Sequence, residues 1–133
     1  MTRTYFMIKP EVVRSGKFVE ILRHVMANRF TIERLEMRPL TPEVAKRFYA
    51  EHDGKGFFGE LVAYMTSGPV IGVQLAGEDA QKRLRDLVGA TNPANAAVGT
   101  IRYMFGASLQ ENAVHASDSP AAAEREIGII FPH

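Results

Sequence analysis

Residues 3–38 run R-T-Y-F-M-I-K-P-E-V-V-R-S-G-K-F-V-E-I-L-R-H-V-M-A-N-R-F-T-I-E-R-L-E-M-R. The first seven, Arg3 to Lys9, form a β-rich run that stops at Pro10, whose ring removes the next ladder N–H. Phe18, Ile21, Leu22, Val25 and Met26 then recur at helical spacing, with Ser15 as the expected N-cap and Asn28 as the stop. From Phe30 to Arg38 the pattern returns to a strand. Its apolar parity switches between Ile32 and the pair Leu35 and Met37, which predicts one bulge. Strand, crossover helix and strand at the head of a chain point to an α/β fold.

The rest of the chain extends this unit. Thr41-Pro42 is an N-cap and N1 pair opening a short helix with Val44, Ala45, Phe48 and Tyr49 inward. A second helix carries Phe58, Leu61, Val62 and Met65 and ends at Ser67-Gly68-Pro69. Val70 to Leu75 reads as a third strand closed by Gly77, and Glu78 to Val88 as a helix with Ala80, Leu84, Leu87 and Val88 on one side. Gly89 to Asn112 shows little periodicity beyond Ile101 to Phe105, and a stretch of that length in a small domain is usually functional or disordered. Ala113 to Ala116 is a short fourth strand, and Ser119-Pro120 opens a last helix expected to run through Ile127. The order predicts a ferredoxin-like α/β sandwich, a four-stranded antiparallel sheet covered by helices. Residues 1–133 are expected to form a single domain.

Composition narrows the chemistry. With 46% apolar and 23% charged residues the chain is an ordinary globular sequence, and sixteen basic against fifteen acidic side chains give a formal charge of +1. That balance offers no global attraction to nucleic acid or an anionic membrane. Absence of cysteine excludes disulfides, thiol catalysis and cysteine-bound zinc. No apolar run approaches the ~18 residues of a membrane span. The N-terminal run does not resemble a signal peptide, so a cytoplasmic location is expected.

Gly54, Gly56 and Gly59 spell G-x-G-x-x-G, yet the residues before them, Val44 to Glu51, look helical. A dinucleotide turn needs a strand there. No G-x-x-x-x-G-K-S/T motif exists either, so a P-loop is ruled out.

The informative segment is Asn112 to Ile127, N-A-V-H-A-S-D-S-P-A-A-A-E-R-E-I. A lone histidine is more often structural than catalytic, but His115 sits on a β-run that leads into a capped helix. Ser117, Asp118 and Ser119 crowd the helix start. Glu126 lies six residues beyond Pro120, roughly 9 Å up a helix. If the helix folds back, its carboxylate can accept one ring N–H and leave the other nitrogen as a neutral nucleophile. Arg85, Thr91, Asn92 and Arg102 bracket the Gly- and Ala-rich stretch, and guanidinium groups suit phosphate oxygens. Lys9 at a strand end adds a positive charge. Phe57 and Phe58 are adjacent and cannot both face one core, which leaves one aromatic face for a base.

These pieces, in this order, resemble the nucleoside diphosphate kinase family through nearly the whole chain. N-A-V-H-A-S-D-S is similar to that family's active-site signature N-x-x-H-G/A-S-D-S. Y-F-M-I-K-P at residues 5–10, S-G-P at 67–69, G-A-T-N-P at 89–93, G-T-I-R at 99–102 and E-I-G-I-I-F at 126–131 accompany it. The resemblance implies a Mg²⁺-dependent, ping-pong transfer of the terminal phosphoryl group from a nucleoside triphosphate, typically ATP, to a nucleoside diphosphate. It implies phosphorylation of His115 on Nδ1, with Glu126 bonding the other ring nitrogen and Ser117 supporting that pair. It also implies that Lys9, Tyr49, Arg85, Thr91 and Arg102 surround the phosphates, that Lys9 and Asn112 bind the sugar hydroxyls, and that Phe57 stacks on the base. Stacking without base-edge hydrogen bonds implies broad base specificity. Magnesium would ride on the nucleotide phosphates with no direct protein ligand and a water-mediated contact to Asp118. A homo-oligomer that needs neither membrane nor nucleic acid is expected.

The sequence departs from the family pattern at Glu11-Val12, where Asp and a small residue are usual, at Val98, where Pro is frequent, and at Tyr103-Met104, where a small and an acidic residue are common. It stops at His133, without the extension many relatives use in subunit contacts. An alternative is a non-catalytic nucleotide- or nucleic-acid-binding module on the same fold, but both His115 and Glu126 are present, and the near-zero net charge speaks against the basic face an RNA-binding sheet would want. A metal hydrolase using His24, His52, His115 and His133 lacks any close ligand pairing.

Overall fold

A computed structural model describes residues 1–109 and 111–132. Strands β1 (Thr2–Ile8), β2 (Thr31–Pro39), β3 (Pro69–Gly77) and β4 (Val114–Ala116) form one sheet in the order β2-β3-β1-β4, and every neighbouring pair is antiparallel. Helices α1 (Pro10–Ser15), α2 (Phe18–Ala27), α3 (Pro42–Phe48), α4 (Phe58–Met65), α5 (Ala80–Val88), α6 (Ile101–Phe105) and α7 (Pro120–Ile130) connect and cover it. This is the expected ferredoxin-like α/β sandwich.

The sheet is apolar on both faces because β1 is. Phe6 and Ile8 point into one cluster, filled by Ile21 and Val25 of α2 and by Leu84 and Val88 of α5. Tyr5 and Met7 alternate to the other face and meet Phe48 of α3, Met65 of α4 and Ile130 of α7. Burying a side chain of this size contributes about 1.5–3 kcal/mol, and all four of these β1 residues are fully buried. The bulge falls where the parity switch puts it, between Ile32 and Arg34 in the pairing with β3.

Several expectations need correction. Ser15 does not cap the helix carrying Phe18. Pro10 starts a separate first helix directly after β1, and Ser15 closes it by donating its hydroxyl to the Val12 carbonyl (2.9 Å). Gly16, at φ 79°, then reverses the chain, and α2 starts at Phe18 without a side-chain cap. Met26 is 46% exposed rather than inward, since it lies about 100° around the helix from Val25. The helix expected from Glu78 starts at Ala80, after Asp79 takes a left-handed conformation (φ 47°). The last helix runs beyond Ile127 to Ile130. Arg34 and Arg38 of β2 reach across to its end and donate to the Phe131 and Ile130 carbonyls, satisfying acceptors a helix terminus leaves open.

The stretch from Gly89 to Asn112 is ordered by small caps. Asn92 accepts from the Ala94 N–H (3.1 Å) ahead of a 3₁₀ turn at Pro93–Asn95. Thr100 accepts from the Tyr103 N–H (3.3 Å) at the start of α6. Gly89 has φ 92°, and a Cβ there would come within 2.5 Å of the Thr100 hydroxyl. Gly54 and Gly56 lie between a 3₁₀ turn at Ala50–His52 and α4, and Gly59 is already inside α4, with no strand leading into the three, so the dinucleotide geometry is absent.

Candidate active site

His115 is the middle residue of β4 and pairs with Met7 of β1, so its ring shares the face of Tyr5 and Met7. Ser119 accepts from the Ala122 N–H (3.0 Å) and turns the chain into α7, which packs back along β1. That return brings Glu126 to the histidine. Nε2 of His115 and Oε1 of Glu126 are 2.8 Å apart, and the Ser117 hydroxyl donates to the same oxygen from 2.7 Å. Glu126 and Ser117 are buried, while the imidazole keeps partial exposure. Phe48 meets the ring edge-on, with centroids 4.9 Å apart and planes at 73°. The ring is therefore fixed through one nitrogen and one edge, and it faces a cavity of about 500 Å³.

Three cations line the same cavity. Lys9, next after β1, is buried and donates from Nζ to Oδ1 of Asn112 (2.7 Å). Burial, and then the Arg102 charge, push its pKa down to about 8. Arg102 of α6 is buried too. Its Nη1 donates to the Gly89 carbonyl (3.1 Å) and its Nη2 to the Val114 carbonyl (2.9 Å). Burial, followed by the Arg85 charge, lowers Arg102 to about 10. Arg85 of α5 is half-buried and pairs with Oδ1 of Asp118 at 3.1 Å. Mutually repelling cations held by a rigid frame suit a multiply charged anion.

The remaining expected residues converge on the same cavity. Thr91 meets Asn112 through its carbonyl, which accepts from Nδ2 at 3.0 Å. Tyr49 is buried, and its hydroxyl has no hydrogen-bond partner among the described residues. Burial, then the Glu126 charge, push its phenol above the ordinary range, which keeps it a donor. Phe57 is 46% exposed and Phe58 packs into the core beneath it. This resolves the aromatic pair: Phe57 forms the outer wall.

Sequence reasoning missed parts of the lining. Leu61 of α4 packs against the core and also borders the cavity, as do Glu51 and Leu109. His52 entered only as a metal ligand. Its ring stacks near Tyr49 (6.4 Å, 27°) and tilts toward Phe57 (5.3 Å). No cluster of three His, Cys, Asp or Glu residues fit to hold an ion occurs among the described residues. His24 lies on α2, and His133 falls outside the described residues. Among the described residues, no helix is long and apolar enough to cross a membrane.

Comparison with known proteins places this geometry in context. The family model for nucleoside diphosphate kinase matches residues 2–133. The chain is 47% identical over 131 residues to the nucleoside diphosphate kinase of Deinococcus radiodurans, covering 98% of this chain and 95% of that protein. It is also 47% identical to that of Archaeoglobus fulgidus, covering 98% and 87%. Among solved structures, the Aquifex aeolicus nucleoside diphosphate kinase superposes with a TM-score of 0.95 at 43% identity, over 98% of this chain and 94% of that one. A halophilic enzyme from Halobacterium salinarum, in complex with CDP, gives a TM-score of 0.95 at 37% identity, over 98% and 88%.

Proposed function

Because this chain belongs to the nucleoside diphosphate kinase family, we propose that the phosphoryl group it carries between nucleotides rests in transit on His115. The activity itself is that of the family: a terminal phosphoryl group moves from a nucleoside triphosphate to a nucleoside diphosphate.

The observation that carries the proposal is the anchoring of His115 Nε2 on Glu126, backed by Ser117. With the proton on Nε2 donated to the carboxylate, Nδ1 presents its lone pair. That pair attacks the terminal phosphorus, and the bond to the bridging oxygen breaks, so the diphosphate leaves with those electrons. In the return step a terminal oxygen of the acceptor diphosphate attacks the same phosphorus, and the N–P electrons go back to Nδ1. Each half-reaction needs alignment and charge neutralisation more than covalent chemistry.

Lys9, Arg85 and Arg102 supply the positive charge, and the Tyr49 hydroxyl and Thr91 further contacts to the phosphates. Lys9 and Asn112 bind the sugar hydroxyls. Phe57 stacks on the base, and a π-face contact accepts any base, giving broad base specificity. Among the carboxylates lining the cavity, Glu126 is committed to His115 and Ser117, Glu51 lies beside His52, and Asp118 is exposed beside Arg85. A hard cation such as Mg²⁺, carried by the nucleotide phosphates, fits Asp118 through water and would offset phosphate charge. Residues 1–133 act as one domain, in the cytoplasm, as a homo-oligomer that requires no nucleic acid.

The test is incubation with γ-labelled ATP and Mg²⁺. An acid-labile, alkali-stable label is expected, and His115→Ala should lose both that label and transfer from ATP to other diphosphates. Transfer persisting in His115→Ala would overturn the reading.

A further inference from the structure

Two residues before His115 the backbone does something an alanine rarely does. Ala113 has φ 77°, and the Val114 N–H donates back to the Asn112 carbonyl at 3.0 Å. This is a γ-turn of the rarer, strained hand. A non-glycine residue stays in such a conformation only where its surroundings over-determine it.

Several hydrogen bonds hold the turn. The Lys9 N–H donates to the Ala113 carbonyl (2.9 Å), and Arg102 Nη2 donates to the Val114 carbonyl (2.9 Å). Asn112 is held on one side by Lys9 Nζ and on the other by the Thr91 carbonyl. The side chains of Lys9, Asn112 and Arg102 line the cavity proposed to take the nucleotide, so their hydrogen bonds are open to exchange during turnover. Glu11 is different. Its Oε2 accepts the Ala113 N–H at 3.3 Å, its other oxygen accepts the Tyr64 hydroxyl, and neither Glu11 nor Tyr64 borders the cavity. Tyr64 belongs to α4, the helix that begins just after Phe57. One half-buried carboxylate thus joins the strained turn to the helix behind the aromatic wall.

We propose that Glu11 is a positioning residue for phosphoryl transfer: shared between the Tyr64 hydroxyl and the Ala113 amide, its carboxylate holds the strained turn that aims His115 and Asn112. The inference rests on His115 as the phosphorylated residue. The glutamate side chain is long enough to span both partners.

The test uses the whole chain and single-turnover labelling of His115 by ATP. Glu11→Ala is expected to slow labelling about tenfold, equivalent to ~1.4 kcal/mol in the barrier. The same substitution made in an Ala113→Gly background should slow it much less, because glycine takes a positive φ without the clamp. A merely structural glutamate would not show that rescue. Labelling at the parental rate in Glu11→Ala, or an undiminished loss in the glycine background, would overturn the proposal. Should Glu11→Ala not fold, the parent protein still decides. Its Ala113 amide resonance should follow a carboxylate titration that Glu11→Gln removes, and a flat Ala113 amide would sink the idea. The titration should persist in His115→Ala, so failure of the clamp is distinguishable from failure of the phosphohistidine reading.

Discussion

Arg125 of α7 donates from Nη1 to the Phe48 carbonyl at the end of α3, at 3.3 Å. Its Nη2 serves the Arg47 carbonyl of the same terminus. The residue beside Glu126 is therefore fastened to the element that supplies Phe48 and Tyr49, two of the rings packed around His115. A cation at a helix C-terminus also meets the negative end of its dipole. Arg125→Ala should lower stability by ~1 kcal/mol, at the modest end for a hydrogen bond to a charged group because the side chain is exposed. Urea unfolding monitored by circular dichroism measures it, and an unchanged midpoint would contradict the tie.

Glu126→Ala is expected to lower kcat about 10- to 100-fold, the range for removing a group that fixes an imidazole's tautomer and orientation. Ser117→Ala should lose less, because the carboxylate still reaches Nε2. Steady-state transfer assays would show the order, and a Ser117 effect exceeding that of Glu126 would reverse the assignment.

Lys9 gives a pH signature with two opposite signs. Its pKa is about 8 in the folded chain against the ordinary 10.5. Between those values the unfolded chain binds more protons, so this residue makes stability rise with pH across that window. Phosphate affinity runs the other way, because the lysine loses its charge as pH passes about 8. KM for the nucleotide should increase roughly tenfold once deprotonation is complete, the scale of one charge-assisted hydrogen bond. Lys9→Met should flatten both trends, and a KM in the parent that is level from pH 7 to 10 would argue against the shift.

Tyr49→Phe separates binding from folding. The hydroxyl is buried without a partner among the described residues, and an unsatisfied buried polar group costs ~1–3 kcal/mol. Removing it should leave thermal stability unchanged or slightly raised while KM for the nucleotide rises. A fall in the unfolding temperature would show that the hydroxyl supports the fold instead.

Much of this was legible in sequence because local chemistry agreed with the tertiary result. Thr41-Pro42 and Ser119-Pro120 both cap helices, as their residue types demand. The parity switch after Ile32 is the bulge. His115 and Glu126 stood eleven residues apart with a turn and a helix start between, a spacing a local argument can close. What escaped depended on distant partners. Nothing near Ile127 announces that arginines of β2 will extend α7 to Ile130. Alanine carries no sign that position 113 takes a positive φ, which three hydrogen bonds from remote parts of the chain support. Leu61 looks like any inward leucine of an amphipathic helix, and only the approach of β4 and α6 makes it a cavity wall.

β4 joins the sheet through three residues and one neighbour, opposite Phe6, Met7 and Ile8, whereas β1 and β3 pair over seven. The residue proposed to carry the phosphoryl group thus stands on the shortest ladder of the sheet among the described residues. Local opening concentrates where cooperative support is thinnest. As denaturant is added, transfer activity should disappear before the far-UV signal does, and amides of residues 114–116 should exchange with solvent ahead of those in β3. The enzyme would then fail by fraying at its working edge, with the β1–β3 pair and its helices still standing to guide the strand back when denaturant is withdrawn.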